Sequence, residues 1–331
     1  MEHDRPDEET IGAALALACR APSVHNTQPW RWRVGDRSVH LYADRSRRLP
    51  ATDPGGTDLL LSCGTALHHL RVALAALGWR AVVHRLPNPA DPDHLAAVEF
   101  ARREPIDADV ALAAATPRRR TDRRRFSSWG VPGPVLEVFA ERAAEEGVAL
   151  HEVTGSRGRF ELATAILRAA ALEGADPAYR TESRLWSGGR ADVDGVPAAN
   201  APSGAPQHGD VQLREFPGGV LADNRIEEWE DDGAALLVLS TSSDDRLSTL
   251  RAGEATSAVL LEATAAGLAS CPLSQPVEVA ETRERLRAEL LDGTSCPQIV
   301  LRVGWAALNA DPLPATPRRP LVDVVEQWGT T

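Results

Sequence analysis

The chain has 331 residues, 43% of them hydrophobic and 25% charged, with a formal net charge of -11. That is material for one large or two medium globular domains, and its acidity speaks against a nucleic-acid partner, whose phosphates it would repel. All 36 positive charges are arginine; the four cysteines show no metal-ligand spacing with histidine, and no run approaches the ~20 apolar residues needed to span a bilayer, so a reduced, cytoplasmic protein without metal or membrane is expected.

Glu8 to Arg20 reads as a helix with Ile11, Ala14, Leu15 and Ala18 on one face, and Pro22 stops it. The loop that follows sets Ser23, His25, Asn26, Thr27 and Gln28 between Pro22 and Pro29. Such short donors and acceptors on a constrained backbone suit hydrogen bonding to a planar heteroaromatic ring; a turn that only joins helix to strand is the plainer reading. Trp30, Trp32 and Val34 alternate with arginines, and Gly35-Asp36 turns the chain into Val39, Leu41 and Ala43, the pattern of a hairpin with one buried face.

Leu59 to Trp79 predicts a long apolar helix. His68 and His69 lie on it with no partner at ligand spacing, and read as core or surface residues. Gly64, Ala66, Ala76, Gly78 and Pro87 recur, each 189 positions later, as Gly253, Ala255, Ala265, Gly267 and Pro276. The recurrence predicts a duplication, with one central helix in each half.

At the start of the second half, the stretch from Thr116 to Phe126 carries six arginines in the eight positions from Arg118 to Arg125. Their mutual repulsion calls for an anion. Guanidinium forks and the Thr121 hydroxyl match phosphate oxygens, so Arg119, Thr121 and Arg123 are candidates to hold one oxyanion; a solvated basic linker is the competing reading.

Pro134 to Glu146 and Arg159 to Leu172 predict helices, with a short strand over Val148 to Val153. Trp186 to Gly219 is loose and rich in Gly, Pro, Ala and Asp, the composition of a lid or of a disordered insert. Ala234 to Ser240 is a buried strand, Leu247 to Leu268 the second long helix, Ser270 to Pro276 a tight polar loop and Gln298 to Trp305 a further strand. The tail brings back paired arginines, Arg318 and Arg319, between prolines.

Together these segments resemble the nitroreductase family of flavoproteins, in its long single-chain, Acg-like branch, over nearly the whole sequence. The resemblance rests on Ala-Pro-Ser-x-x-Asn-x-Gln-Pro-Trp at 21 to 30, Arg119-x-Thr121-x-Arg123 with Phe126 downstream, Pro272-Leu273-Ser274-Gln275, and the closing Arg318-Arg319-Pro320-Leu321. It implies an α+β fold of antiparallel and mixed sheets packed by long central helices. Two half-domains, 1–115 and 116–331, would mimic the family homodimer within a monomer, with 186–219 as a lid.

The same resemblance implies that Arg119, Thr121, Arg123, Arg318 and Arg319 hold an FMN phosphate. Pro272, Leu273, Ser274 and Gln275 would lie along the flavin ring, and Pro22, Ser23, His25 and Asn26 would reach it from the first half. The flavin itself supplies the catalytic chemistry, so no protein acid or base is assigned. Hydride would pass from NAD(P)H through flavin N5 to a planar nitroaromatic or quinone acceptor. Asp7-Glu8-Glu9 stands where a first-half phosphate clamp would be, which implies one FMN per chain. Ser274 in place of an acidic residue, and a lid over the ring, imply the alternative of FMN storage with little turnover. A basic-linker scaffold without cofactor survives only if the central arginines are solvated.

Overall fold

The computed structural model describes residues 5–188, 193–223 and 232–327. The first half runs α1 (Glu8–Ala18), β1 (Trp30–Val34), β2 (Ser38–Ala43), α2 (Thr57–Ala76), β3 (Trp79–Arg85), β4 (His94–Arg102) and α3 (Asp107–Ala115). Beyond the arginine run come α4 (Gly133–Glu145), β5 (Ala149–Glu152), α5 (Gly155–Ala175) and α6 (Pro177–Leu185). Four two-residue strands follow, β6 (Ser187–Gly188), β7 (Val196–Pro197), β8 (Gln207–His208) and β9 (Val211–Gln212). The remainder is β10 (Ala235–Thr241), α7 (Arg246–Ala265), β11 (Ala269–Leu273), α8 (Gln275–Glu278), α9 (Ala280–Leu290), β12 (Cys296–Gly304) and β13 (Val325–Gln327).

Two sheets carry the architecture. One is ordered β13-β1-β2-β4-β3, the other β11-β12-β10-β5. Leaving β13 aside, the two orders match strand for strand, with β1, β2, β3 and β4 corresponding to β5, β10, β11 and β12. Within these two sheets the strand pairs are antiparallel except that β13 adds in parallel, beside β1. The tail therefore leaves the second half and finishes on the first-half sheet.

The central helices α2 and α7 are packed against each other at the middle of the molecule. A Cβ added at Gly64 would strike the Leu250 carbonyl and lie 2.9 Å from Gly253 Cα, while one at Gly253 would strike the Leu61 carbonyl and lie 2.9 Å from Gly64 Cα. Only glycine allows this approach, and the contact is reciprocal, as a two-fold axis requires. Leu61 of α2 joins the core of the second half, and Leu250 of α7 joins that of the first. The other repeated glycines, Gly78 and Gly267, end the two helices at φ of 87° and 83°, in the left-handed region that a side chain disfavours.

Two expectations change. The run at Ser270 to Pro276 is not a loop: Pro272 and Leu273 sit in edge strand β11 opposite Leu301 and Val300, and Gln275 opens α8. An edge tolerates proline because the missing N–H is not needed there. The expectation that no segment is long and apolar enough to span a bilayer also fails, since the 20-residue α2 is. Its apolar window is 83% buried inside the fold, so that apolarity goes into packing against α7, α1 and the sheet. In the 186–219 segment, residues 189–192 lie outside the described residues; the rest forms short strands around a small core of Val196, Ala201 and Phe216.

The Gly64–Gly253 contact yields a sign prediction. Alanine gains ~1 kcal/mol of helix propensity over glycine, whereas overpacking costs ~1–3 kcal/mol or more when the obstructing atoms are backbone. Gly253→Ala is expected to lower unfolding stability by a net ~2 kcal/mol in urea titration, since the obstructing atoms are backbone. Unchanged or raised stability would mean that the two helices can separate freely.

Candidate functional site

A cleft of about 890 Å³, including its solvent-open mouth, lies between the halves. Its walls include Pro22, Ser23 and His25 from the first loop, Thr121 and Arg123 from the arginine run, and Pro272, Leu273, Ser274 and Gln275 from the β11–α8 corner. The central helices add Asp58, Leu61, Ser62 and Thr65 from one half and Thr256 from the other. A cleft of this size with apolar walls and a few convergent polar groups suits a planar, drug-sized molecule.

Four of the expected residues lie off this wall. Asn26 donates to the Gly195 and Pro317 carbonyls at 3.0 and 3.2 Å, tying the first loop to the 193–217 segment and the tail. Arg319 stays with the tail and first loop: its backbone N–H donates to Gln28 Oε1 at 2.8 Å and its Nη2 to the Asp323 carbonyl at 2.9 Å. Arg119 and Arg318 belong to a separate buried group beside the cleft.

That group is positively charged and uncompensated. Arg119 is 6% exposed, and its Nε and Nη1 have no partner among the described residues. Arg318 spends its Nη atoms on the carbonyls of Thr316, Pro317, Arg20 and Ala21, at 3.0 to 3.2 Å, and leaves Nε unpartnered. His69, fully buried one turn beyond Thr65, has neither ring nitrogen hydrogen-bonded among the described residues. Burial, then the neighbouring charges of Arg120 and Arg20, push Arg119 down to about 10. Burial, then Arg119 and Arg20, push Arg318 down to about 9. Guanidinium keeps its proton in proteins, so these shifts measure an electrostatic cost that an anion would relieve. Arg124, by contrast, is neutralised by Asp122 at 2.8 Å. The solvated-linker reading fails on the burial of Arg119 and Arg124.

The 193–217 segment closes one side of the cleft with Gln212, Leu213, Arg214 and Phe216. Arg123 lies under Phe216, its guanidinium 4.5 Å from the ring centroid, and donates to the Asn200 carbonyl at 2.9 Å. Arg214 Nη1 donates to His25 Nε2 at 2.6 Å, which makes Nε2 the acceptor and puts the imidazole proton on Nδ1. Burial, then Arg214, push His25 down to about 3, so the ring is neutral. The loop that presents it is strained: His25, Asn26 and Gln28 have φ of 46°, 54° and 50°. Gln28 Nε2 holds the Val193 carbonyl at 2.8 Å, so strained loop and closing segment support each other.

Sequence reasoning placed His69 on the apolar helix as a core or surface residue and did not single out Arg20, Asp58, Arg214, Phe216 or Glu278. Asp58 and His69 carry a readable signal, as polar positions on the buried face of an apolar helix. Arg214 carries none without knowledge of where its segment folds.

No family model matches the chain. It is 51% identical over 322 residues to a Mycobacterium tuberculosis H37Rv protein whose name assigns it provisionally as an NAD(P)H nitroreductase, covering 97% of this chain and 92% of that one. A second protein of that strain, acg, named in the same way, is 40% identical over 96% of this chain and 95% of its own. Among solved structures, the FMN-dependent nitroreductase NfnB of Mycobacterium smegmatis, in complex with NADPH, aligns with 66% of this chain and 99% of its own at 20% identity, with a TM-score of 0.44, too distant a likeness to carry weight. By its likeness to the two longer matches along almost its whole length, the chain belongs to the NAD(P)H nitroreductase family.

Proposed function

We propose that the protein is an FMN-dependent oxidoreductase that takes hydride from NAD(P)H and delivers it to a planar acceptor of the nitroaromatic or quinone type. The observation that carries this reading is the cationic group of Arg119, Arg318 and Arg20, with the neutral His69, unpaired among the described residues and beside a cleft with room for a drug-sized ligand. Arg119 and Arg318 would hold the phosphate, with Thr121 between run and cleft. Pro272, Leu273, Ser274 and Gln275 would lie along the ring, and Pro22, Ser23 and His25 would meet it from the first half. The bound flavin supplies the capacity to accept and release hydride; the protein binds it, orients it and excludes water. The matching strand orders and reciprocal glycine contact support reading 1–115 and 116–331 as two related halves serving one site. Four free thiols among the described residues fit a reducing, cytoplasmic setting.

A second reading, storage of FMN with little turnover, is favoured by one observation: Phe216, Leu213 and Arg214 of the 193–217 segment already line the cleft that a nicotinamide ring would need to enter. Purified protein is expected to be yellow under either reading. Bleaching by NADPH under argon supports the enzyme, persistent colour supports storage, and colourless protein that takes up no added FMN would remove both. If the segment limits access, Asn26→Ala with Gln28→Ala, which frees the carbonyls of Gly195 and Val193, should speed bleaching tenfold or more. An unchanged rate would show that the covering is not what sets it.

The phosphate assignment has a test in which two signs oppose. Each charge-assisted contact contributes ~1.5–3 kcal/mol, so Arg119→Met should weaken FMN binding by roughly ten- to a hundredfold, read by fluorescence titration. The same substitution removes an unpaired buried charge from the apoprotein, whose thermal midpoint should hold or rise. Weaker binding with a lower apoprotein midpoint would indicate that Arg119 is structural.

A further inference from the structure

Around Asp58, another residue lining the cleft, the excess charge has the other sign. Asp58, in the first turn of α2, lines the cleft at 5% exposure, and its Oδ2 has no partner among the described residues. Its carboxyl abuts that of Glu278 on α8, which in turn abuts that of Glu173 on α5. Oε1 of each glutamate is likewise buried without a partner. One guanidinium serves all three acids: Arg214 bonds Glu278 directly and stands 3.8 Å from Glu173. Arg123, held under Phe216, is the next cation of the cleft; the other described groups facing this cluster add no positive charge. His25 is neutral, Tyr179 on α6 is a phenol whose ionisation burial disfavours, and Asp53 at the head of α2 already accepts the Leu59 N–H at 2.9 Å.

Three carboxylates around one cation cannot all stay ionised in a buried wall, and acceptor oxygens that face each other need protons between them. Arg214 overrides the effect of burial and holds Glu278 below its ordinary range, so Glu278 is the carboxylate of the set. Burial, with the charge of Glu278 added, pushes Glu173 up to about 8 despite Arg214. Burial, then Glu278 and Asp53, push Asp58 well above the usual carboxylate range. The cluster therefore favours bound protons on Glu173 and on Asp58, the residue that reaches the cleft.

We propose that Asp58 is the acid that gives a proton to the acceptor bound in the cleft, with Glu278 and Glu173 behind it as the route of resupply. This rests on the oxidoreductase reading above. A quinone that has gained a hydride, two electrons and one proton's mass from reduced nicotinamide, is a monoanion. The Asp58 O–H bond breaks as the acceptor's second O–H bond forms, giving a neutral hydroquinone and an Asp58 carboxylate. That leaves two carboxylates on one guanidinium. A proton passed from Glu173 through Glu278 restores Asp58, and water reprotonates Glu173.

The test compares wild type with Asp58→Asn, both loaded with FMN and reduced by dithionite, so that the nicotinamide step is bypassed. Each is mixed with menadione in a stopped-flow instrument between pH 5 and 9. Wild type should react more slowly as pH rises through the neutral-to-alkaline range. Asp58→Asn should be at least ~100-fold slower below that range, with a flat profile, since general acids contribute ~10²–10⁴-fold. Infrared spectra, independent of turnover, should show a protonated-carboxyl band in wild type at pH 7 that weakens in Asp58→Asn. Glu173→Gln serves as a second variant: in steady-state turnover with NADPH and menadione it should match wild type near pH 6 and fall behind at pH 8, where resupply limits. Holoprotein variants with the wild-type rate and profile, or wild type without the infrared band, would overturn the proposal while the flavin reading stands. Failure of every protein to hold FMN would instead sink the oxidoreductase reading, and the proton assignment with it.

Discussion

Two backbones touching at Gly64 and Gly253 set the distances on which everything else in the molecule depends. With no side chain between them, α2 and α7 approach closely enough for Leu61 and Leu250 to enter each other's cores. That places Asp58, Thr65 and Thr256 on one cleft, with His69 one turn further along α2 beside the buried arginines. A few tenths of an ångström at this crossing would be felt at both ends of the site, because close-packed interiors transmit strain instead of absorbing it.

The site is electrically divided. Arg119, Arg318 and the half-buried Arg20 form a cationic group around the neutral His69 with no ion pair among the described residues, while Asp58, Glu173 and Glu278 outnumber Arg214. Neither imbalance would survive in an ordinary core, where buried charges are paired or neutralised. An anion answers the first and bound protons answer the second. Two imbalances of opposite sign, one in the wall of the cleft and one beside it, mark this region off from the rest of the core.

Much of this was legible in the sequence where local chemistry dominates. Helical spacing identified α2 and α7 to within a few residues, and alternation around Trp30 and Trp32 identified the first hairpin. The repeated glycines proved to be the crossing and the two helix ends, positions where only backbone geometry decides the residue. Less legible were features set by distant partners. Strands β3 and β4 alternate too weakly to stand out, because each keeps exposed and half-buried positions along its length. Edge strand β11 reads as a loop from its own residues, and only the pairing with β12 makes it a strand. Arg214 and Glu278 are 64 positions apart, and Asp58 lies in the other half of the chain. No local pattern brings those three together; the fold does. The tail arginines divide in the same manner, with Arg318 turned into the cationic group and Arg319 held by Gln28 and Asp323.

One contact on the central axis has an evolutionary reading. His68 Nδ1 and Ser257 Oγ, 189 positions apart, are 2.8 Å from each other across the helix pair. Where two identical chains meet on a two-fold axis, such a position faces its own copy, and imidazole would be set against imidazole or hydroxyl against hydroxyl. Joining both sides in one polypeptide lifts that restriction, because each side can then change alone. The mixed pair needs unlike sequence on the two sides of the crossing, which two identical chains could not supply.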